Sequence, residues 1–533
     1  VHDEAMSRTR PVEERIALLE RVITEQRDLL SSRLGKPASE IPQIFIPYKE
    51  TLDLYRKGLK VPEDVTVIWP DDNYGYMKSV SSPAERKRSG SSGVYYHTSY
   101  LGTPHDYLWL CTTPPAMMYH ELKKAFDCGA DRYWLLNVGD IKPAELDTQT
   151  FFDMAWDFSS FSQDNVNDYQ PSIVAEWCGE KYRKPVRKIL DEYYRLAWIR
   201  KPEYMGWEIE WDSPETRETG PTEFSFSNYG DAWRRIDEYS VLASETDALM
   251  RELPDSLRTP FFEMIGYPVL ASEMMNRRFL FAQLNGELAE AGDRGGANLA
   301  ARLSTEASDS IDSLNKIYNS LEDGKWNGMM SVPPGFCARY QERPPLRIFP
   351  GSGESDLKIS HSAGTYGDAG CRTIALNEAK TTGGAEFIEG IGYDGYILQL
   401  GDPASAGDSM AEASLDICSV SGDSITLQIF HLPYFPLYEG KGCRIGVSVD
   451  GGDERIIEFL PEEWSKPWKL NVLRNSALAE LTFPLAKNAK GCHTLRLRGI
   501  DPGMAIQRIV IDEGGFRPGY IGPSPLSHAF PSN

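Results

Sequence analysis

The chain has 533 residues, of which 41% are hydrophobic and 25% charged, and it carries a formal net charge of −22. That length exceeds one compact core, so roughly two to four domains are expected in ordinary soluble globular protein. The acidic balance excludes a broad nucleic-acid footprint, because phosphates need a basic face, and no apolar run approaches the roughly 18 residues of a membrane-spanning helix.

In chain order, Pro11 to Leu34 reads as a helix: Ile16, Leu19, Val22, Ile23, Leu29 and Leu30 recur at helical spacing and Gly35 supplies the stop. Four strand-like runs follow, each with polar groups at its carboxyl end. Glu50 comes after Ile44-Phe45-Ile46, Asp71-Asp72-Asn73 after Val65 to Trp69, His97 after Val94-Tyr95-Tyr96, and Asn137 and Asp140 after Tyr133 to Leu136. Helical patterns over Leu52 to Leu59 and after Pro114-Pro115, with Met117, Met118, Leu122 and Phe126 on one side, separate these runs. Strand and helix alternating at these lengths predict βα units of a parallel sheet, either a barrel or a doubly wound sheet, and the count is half of what a closed barrel needs. In such folds ligands meet residues at the carboxyl ends of the strands.

From 165 onward long polar-apolar patterns such as Asp231 to Glu252 and Ser272 to Glu290 predict a helical bundle. Past Pro333-Pro334-Gly335, short alternating runs at Tyr396 to Leu400, Ser424 to Phe430, Cys443 to Val449, Thr494 to Arg498 and Gln507 to Ile511 predict an antiparallel β-sandwich. The expected class is multidomain, α/β then α then β, with domains at 1–164, 165–335 and 336–533. Eight cysteines without a CxxC pair predict neither a disulfide framework nor a zinc cluster; Cys111, Cys128, Cys178 and Cys337 read as buried thiols. The opening Val1-His2-Asp3-Glu4 has no leader pattern, so the compartment stays open.

A Glu, an Asp pair, a His and an Asn on one rim serve several chemistries, which differ in what they require. A metal site on Asp71, Asp72 and His97 lacks HExxH or His-x-His spacing. Ser89-Gly90-Ser91-Ser92-Gly93 precedes a strand, where a nucleophile elbow follows one, and neither it nor Gly75 completes a dinucleotide fingerprint. Carboxylate chemistry remains: one acid protonates a leaving oxygen and one base activates water, as in glycoside hydrolysis. The bland alternatives are a first-turn carboxylate for Glu50, a cap for Asp71 or Asp72, a core histidine for His97 and turn formers for Asn137 and Asp140.

Long blocks then carry a resemblance. Trp69-Pro-Asp-Asp-Asn-Tyr-Gly-Tyr76, Glu85-Arg-Lys-Arg-Ser-Gly90, Gly93-Val-Tyr-Tyr-His97, Pro104-His-Asp-Tyr107 and Asn137-Val-Gly-Asp-Ile-Lys-Pro-Ala-Glu145 resemble the signature blocks of glycoside hydrolase family 115. Lys325-Trp-Asn-Gly-Met-Met330, Gly446-Val-Ser-Val-Asp450 and Gly519-Tyr-Ile-Gly-Pro523 extend the resemblance over nearly the whole chain. It implies a xylan α-1,2-glucuronidase that removes glucuronic acid or its 4-O-methyl ether with inversion. It also implies a (β/α)8 barrel, a helical domain and a β-sandwich, often as a homodimer, acting without metal or organic cofactor in an extracellular or periplasmic setting. By motif, Glu50 resembles the general acid, while Asp3 and Asp71 compete for the base. Asn73, His97, Asn137 and Asp140 resemble pocket residues, and Arg86 and Arg88 are cations suited to a uronate carboxylate. Glu50 needs a raised pKa, which partial burial supplies, and inversion needs the partner carboxylate about 6.5–9.5 Å away.

Family members carry an N-terminal domain and early barrel strands ahead of the segment where this chain starts, so the expectation is the C-terminal half of a barrel, with little or no activity alone. Two rivals stand beside the hydrolase: a non-catalytic carbohydrate-binding or assembly protein derived from such an enzyme, and a metal-assisted hydrolase on Asp71, Asp72 and His97.

Overall fold

A computed structural model describes residues 10–206, 220–331, 343–355, 370–418, 420, 422–485, 491–517 and 519–523. Asp3 and Cys337 lie outside them. The chain divides into two compact units, one of Val1–His97, His120–Asn137 and Phe435–Lys441, the other of Thr98–Tyr119, Val138–Tyr434 and Gly442–Asn533.

The first unit opens with α1 (Val12–Leu34), closed by Gly35 at φ 63°, whose N–H donates to the Ser31 carbonyl at 2.9 Å. This left-handed cap is the stop expected of a glycine there. Then come β1 (Ile44–Phe45), α2 (Glu50–Arg56), β2 (Thr66–Pro70), β3 (Ser92–His97), the second half of α3 (Pro115–Phe126) and β4 (Trp134–Asn137). The strands form one parallel sheet in the order β1-β2-β3-β4. Its register pairs Val67 with Ser92, Val94 with Trp134 and His97 with Asn137. All five residues of β2 are buried, as parallel strands covered on both faces require. Gly93 sits where neighbouring backbone comes closest: a Cβ there would lie 1.9 Å from the Tyr133 carbonyl oxygen. The glycines near 90 therefore serve strand packing.

In the second unit the helices ahead of the sheets include α4 (Glu145–Trp156), α5 (Val166–Cys178), α6 (Arg183–Ile199), α7 (Asp231–Glu252), α8 (Asp255–Phe261), α9 (Tyr267–Glu290) and α10 (Arg294–Gly324). Val186, Ile189, Leu190 and Tyr193 recur on one face of α6 and pack in a core with Leu242, Leu249, Ile265 and Val269. Each such side chain contributes about 1.5–3 kcal/mol when removed from water. Two of the sequence blocks meet here: Lys142 Nζ pairs with Glu145 at 2.5 Å and Glu263 at 2.7 Å and lies 4.3 Å from the ring centre of Trp326. The block around Tyr520 is likewise an anchor, since the Tyr520 and Ile521 N–H groups donate to Asp231 Oδ2.

The remainder of this unit is antiparallel. One sheet runs β13 (Ala477–Pro484), β10 (Ser424–His431), β15 (Met504–Asp512), β8 (Tyr396–Leu400) and β7 (Ala385–Glu389), with β5 (Cys371–Thr373) also paired to β15. The other runs β12 (Arg455–Glu458), β11 (Arg444–Val449), β14 (His493–Gly499), β9 (Glu412–Ile417) and β6 (Lys380–Thr382). In β14, His493, Leu495 and Leu497 are buried between exposed Thr494 and Arg496, the alternation of a strand with one face on a core. Cys418 and Cys492 form a disulfide, against the expectation of none. The two lie 74 positions apart in sequence, but His493 pairs with Ile417, so strand pairing makes them neighbours. Cys111, Cys128 and Cys178 are buried thiols, as expected.

Candidate functional site

The carboxyl ends of the parallel strands hold one hydrogen-bonded cluster. Asp71 follows β2 directly and is buried. Its Oδ2 accepts from the His97 backbone N–H at 2.8 Å, and its Oδ1 from the Asn73 N–H at 2.9 Å. The same Oδ1 lies 2.6 Å from His97 Nδ1. A carboxylate so placed keeps the proton of neutral His97 on Nδ1 and directs Nε2 away from itself. His97, last residue of β3, lies across from Asn137, last residue of β4, so both project from the same end of the sheet.

Two tyrosines complete the cluster, and sequence analysis missed both. Tyr48 Oη donates to Asn73 Oδ1 at 2.7 Å, and Asn137 Nδ2 donates to Tyr95 Oη at 3.0 Å. Tyr95 and His97 share a face of β3 with ring centres 4.5 Å apart, and Tyr48 lies 5.8 Å from Tyr95 and 6.2 Å from His97. The signal was present: residues two apart on a strand face the same way, which puts Tyr95 beside His97. Asn73 adopts φ 80°, in the left-handed region that asparagine tolerates, and this turn brings its side chain back toward Tyr48.

The remaining predicted residues have other places. Asp72 turns into the loop, where its Oδ1 accepts from the Tyr74 and Tyr76 N–H groups at 2.8 and 3.1 Å. Burial, and then the neighbouring Asp71, push its pKa well up. This loop cap does not converge with Asp71 and His97 on a metal. Among the described residues no group of three or more His, Cys, Asp or Glu side chains is arranged to hold one. Glu50 is the first residue of α2 and is exposed, so the partial burial expected of it is not present. Asp140 is exposed in the loop after β4, within the second unit.

Arg86 and Arg88 require correction. Arg88 donates to the Val61, Pro62 and Val65 carbonyls at 3.3, 2.6 and 3.3 Å, and Arg86 to the Ser81 carbonyl, Cys128 Sγ and Tyr438 Oη at 3.1, 2.8 and 2.8 Å. Val61 to Val65 lead into β2, so Arg88 serves the amino ends of the strands, opposite to the cluster. These arginines tie loops together and do not belong to the rim.

The second unit contains a separate buried polar group that the sequence did not signal. Asp147 is fully buried on α4, with Gln170 Nε2 at 3.2 Å and Tyr194 Oη at 3.3 Å on its Oδ1, and burial pushes its pKa up to about 6. Lys201 donates to Thr112 Oγ1 at 2.8 Å, and burial lowers its pKa. Glu203 Oε1 accepts from the Leu110 N–H at 2.9 Å, and burial raises its pKa.

Comparison with known proteins agrees with the sequence blocks. The model of glycosyl hydrolase family 115 matches residues 1–204, and that of the family 115 C-terminal domain matches 397–525. The chain belongs to glycosyl hydrolase family 115. A solved family 115 4-O-methyl-α-glucuronidase with specificity for decorated arabinogalactans is similar over 95% of this chain, at 35% identity and a TM-score of 0.81. The match spans 62% of that protein's length. A family 35 carbohydrate binding module from Clostridium thermocellum matches 26% of this chain and 96% of its own, at 10% identity and a TM-score of 0.19. An exo-β-1,3-galactanase from Phanerochaete chrysosporium matches 26% of this chain and 29% of its own, at 12% identity and a TM-score of 0.19. Scores that low bear on neither fold nor function. No curated protein sequence matches the chain.

Proposed function

We propose that the chain is the catalytic, helical and β-sandwich portion of an α-glucuronidase that removes α-1,2-linked glucuronic acid or its 4-O-methyl ether from polysaccharide side chains. The observation that carries this reading is the cluster of Asp71, Asn73, His97 and Asn137 at the carboxyl ends of three adjacent parallel strands. Four parallel strands with helices between them suit the C-terminal half of a (β/α)8 barrel, and the two antiparallel sheets suit a sandwich. The domain reading of 1–164, 165–335 and 336–533 follows the change from mixed, to helical, to antiparallel structure.

The mechanism is general acid/base inversion. Glu50 delivers the proton to the leaving oxygen. Asp71 accepts from the Asn73 and His97 backbone N–H groups and lies against His97 Nδ1, so it is engaged in orienting His97, which favours Asp3 over Asp71 as the base that activates water. Asn73, His97 and Asn137 hold the uronate. The disulfide supports an extracellular or periplasmic location, where such bonds persist, and a homodimer is the expected assembly.

Uronic acid release from glucuronoxylan and from a glucuronate-decorated arabinogalactan, by this chain and by Glu50→Ala, tests the reading. Slow release by the wild type as the β-anomer, seen by NMR, with loss in the variant is the expected result. Undiminished release by Glu50→Ala would remove Glu50 as the acid, and an α-anomer would overturn inversion. The ratio between the two polymers fixes the substrate, xylan being the first expectation.

A further inference from the structure

We infer that Glu121, held by Lys124, is a positioning residue for uronate release: it fixes the return of the loop from Asp71 to Met77 and, through that loop, the places of Asp71 and Asn73 on the rim. The inference rests on the uronate-binding reading of this rim and adds a layer of residues behind it.

The loop leaves β2 at Asp71 and folds straight back on itself. Asp71 and Met77 form an antiparallel bridge, the Asp72 N–H donates to the Tyr76 carbonyl at 2.8 Å, and every residue from Asp71 to Met77 is buried. The departing arm carries the rim residues Asp71 and Asn73, so the returning arm helps to decide where they stand. That arm is gripped by α3. The Met77 N–H donates to Glu121 Oε2 at 2.9 Å, and Lys124 Nζ donates to Glu121 Oε1 at 2.6 Å.

Glu121 and Lys124 lie one turn apart on α3, with side chains only 1% and 4% exposed. Burying two opposite charges costs about as much as their attraction returns, so an apolar pair of similar volume would serve the core as well. An apolar pair could not accept from the buried Met77 N–H, which would then be left unsatisfied. The charge-assisted bond from Lys124 holds the Glu121 carboxylate in one place, and with it the acceptor that the loop returns to. From the bridge the connection runs on to the rim: Asp71 accepts from the His97 N–H at 2.8 Å and lies 2.6 Å from Nδ1, while Asn73 Oδ1 bonds to Tyr48 Oη at 2.7 Å. A displacement of about 1 Å in groups that orient a substrate costs on the order of 10²-fold in rate.

Two double variants of equal charge separate the acceptor from the ion pair. Glu121→Gln with Lys124→Met keeps a carbonyl oxygen for the Met77 N–H and removes both charges, whereas Glu121→Leu with Lys124→Met removes the acceptor as well. The second should lower kcat/KM for uronate release, per folded molecule, by about 10²-fold, while the first stays within about 3-fold of wild type. Glu121→Asp keeps both charges and draws the acceptor back by one methylene; it should lose about 10-fold, and it takes the place of the leucine variant if that chain does not fold. Chains with isotope-labelled histidine, read by NMR, give a signal that a purely structural role would not move. The His97 ring resonances, assigned with His97→Gln, should shift in the leucine and aspartate variants and stay in place in the glutamine one. Unchanged kcat/KM or unchanged His97 resonances in the leucine variant, or equal losses in the two double variants, would overturn the inference. A wild type that releases no uronate ends the hydrolase reading, and the His97 resonances then decide the positioning by themselves.

Discussion

At the carboxyl ends of β2, β3 and β4 polar side chains bond to one another, whereas at the amino ends of the same sheet Arg88 bonds to backbone carbonyls. The first arrangement leaves side-chain chemistry that a ligand can use. The second absorbs a charge into the scaffold. Parallel strands make the distinction possible, because all carboxyl ends share one edge, where loops are free of the ladder's demands. A charged residue near a strand thus says little until the end it serves is known.

The largest expected effect attacks the rim. Asp71→Asn replaces one of the two carboxylate oxygens that hold His97 with an amide donor and should lower uronate release per folded molecule by about 10²–10⁴-fold. A rate close to wild type would make Asp71 a loop former like Asp72, and the contrast between the two ends would fail.

A buried carboxylate of the second unit provides the next test. Burial gives Asp147 a folded pKa of about 6 against an ordinary value of 3.8. Between those values the folded chain retains a proton that the unfolded chain has lost, so stability falls as pH rises through that window and is level above it. The drop is up to roughly 3 kcal/mol, and Asp147→Asn should flatten it in denaturant titrations at pH 4 to 7. A slope that persists in the variant would assign it to other groups.

Arg88→Ala should destabilise the fold by about 2 kcal/mol, since three carbonyls lose a charged donor, with uronate release per folded molecule unchanged. A change in KM for the uronate substrate would return Arg88 to the rim. The smallest effect belongs to Asp450, whose pKa is lowered by the His493 side chain 2.6 Å away and by the Thr494 N–H, against the raising effect of burial. A depressed carboxylate stabilises above its unfolded pKa, and the gain is lost as pH falls through the folded one. With Asp450 a third exposed, Asp450→Asn should cost under about 1 kcal/mol near neutrality and nothing in acid.

Much of the fold was legible from one sequence. The expected helix over Asp231 to Glu252 and the strand over Tyr396 to Leu400 have the observed limits, and all four early strand-like runs joined one parallel sheet. Local periodicity suffices where a segment is long or regularly alternating. Short strands such as β5 and β6 carry too few residues to alternate visibly, and they exist because longer neighbours offer an edge.

The sequence by itself determined the order of mixed, helical and antiparallel regions, and the polar residues at four strand ends, because both follow from which residues alternate and what comes next along the chain. Tertiary structure alone decided that Asp71 holds His97 while Asp72 caps a loop, and that Arg86 and Arg88 belong to the scaffold. It likewise decided that Cys418 meets Cys492, and that Tyr48 bonds to Asn73 and Tyr95 to Asn137. The physical reason is common to these cases. A hydrogen bond or disulfide depends on the direction of a side chain at a few ångströms, and strand pairing sets that direction between residues far apart in sequence.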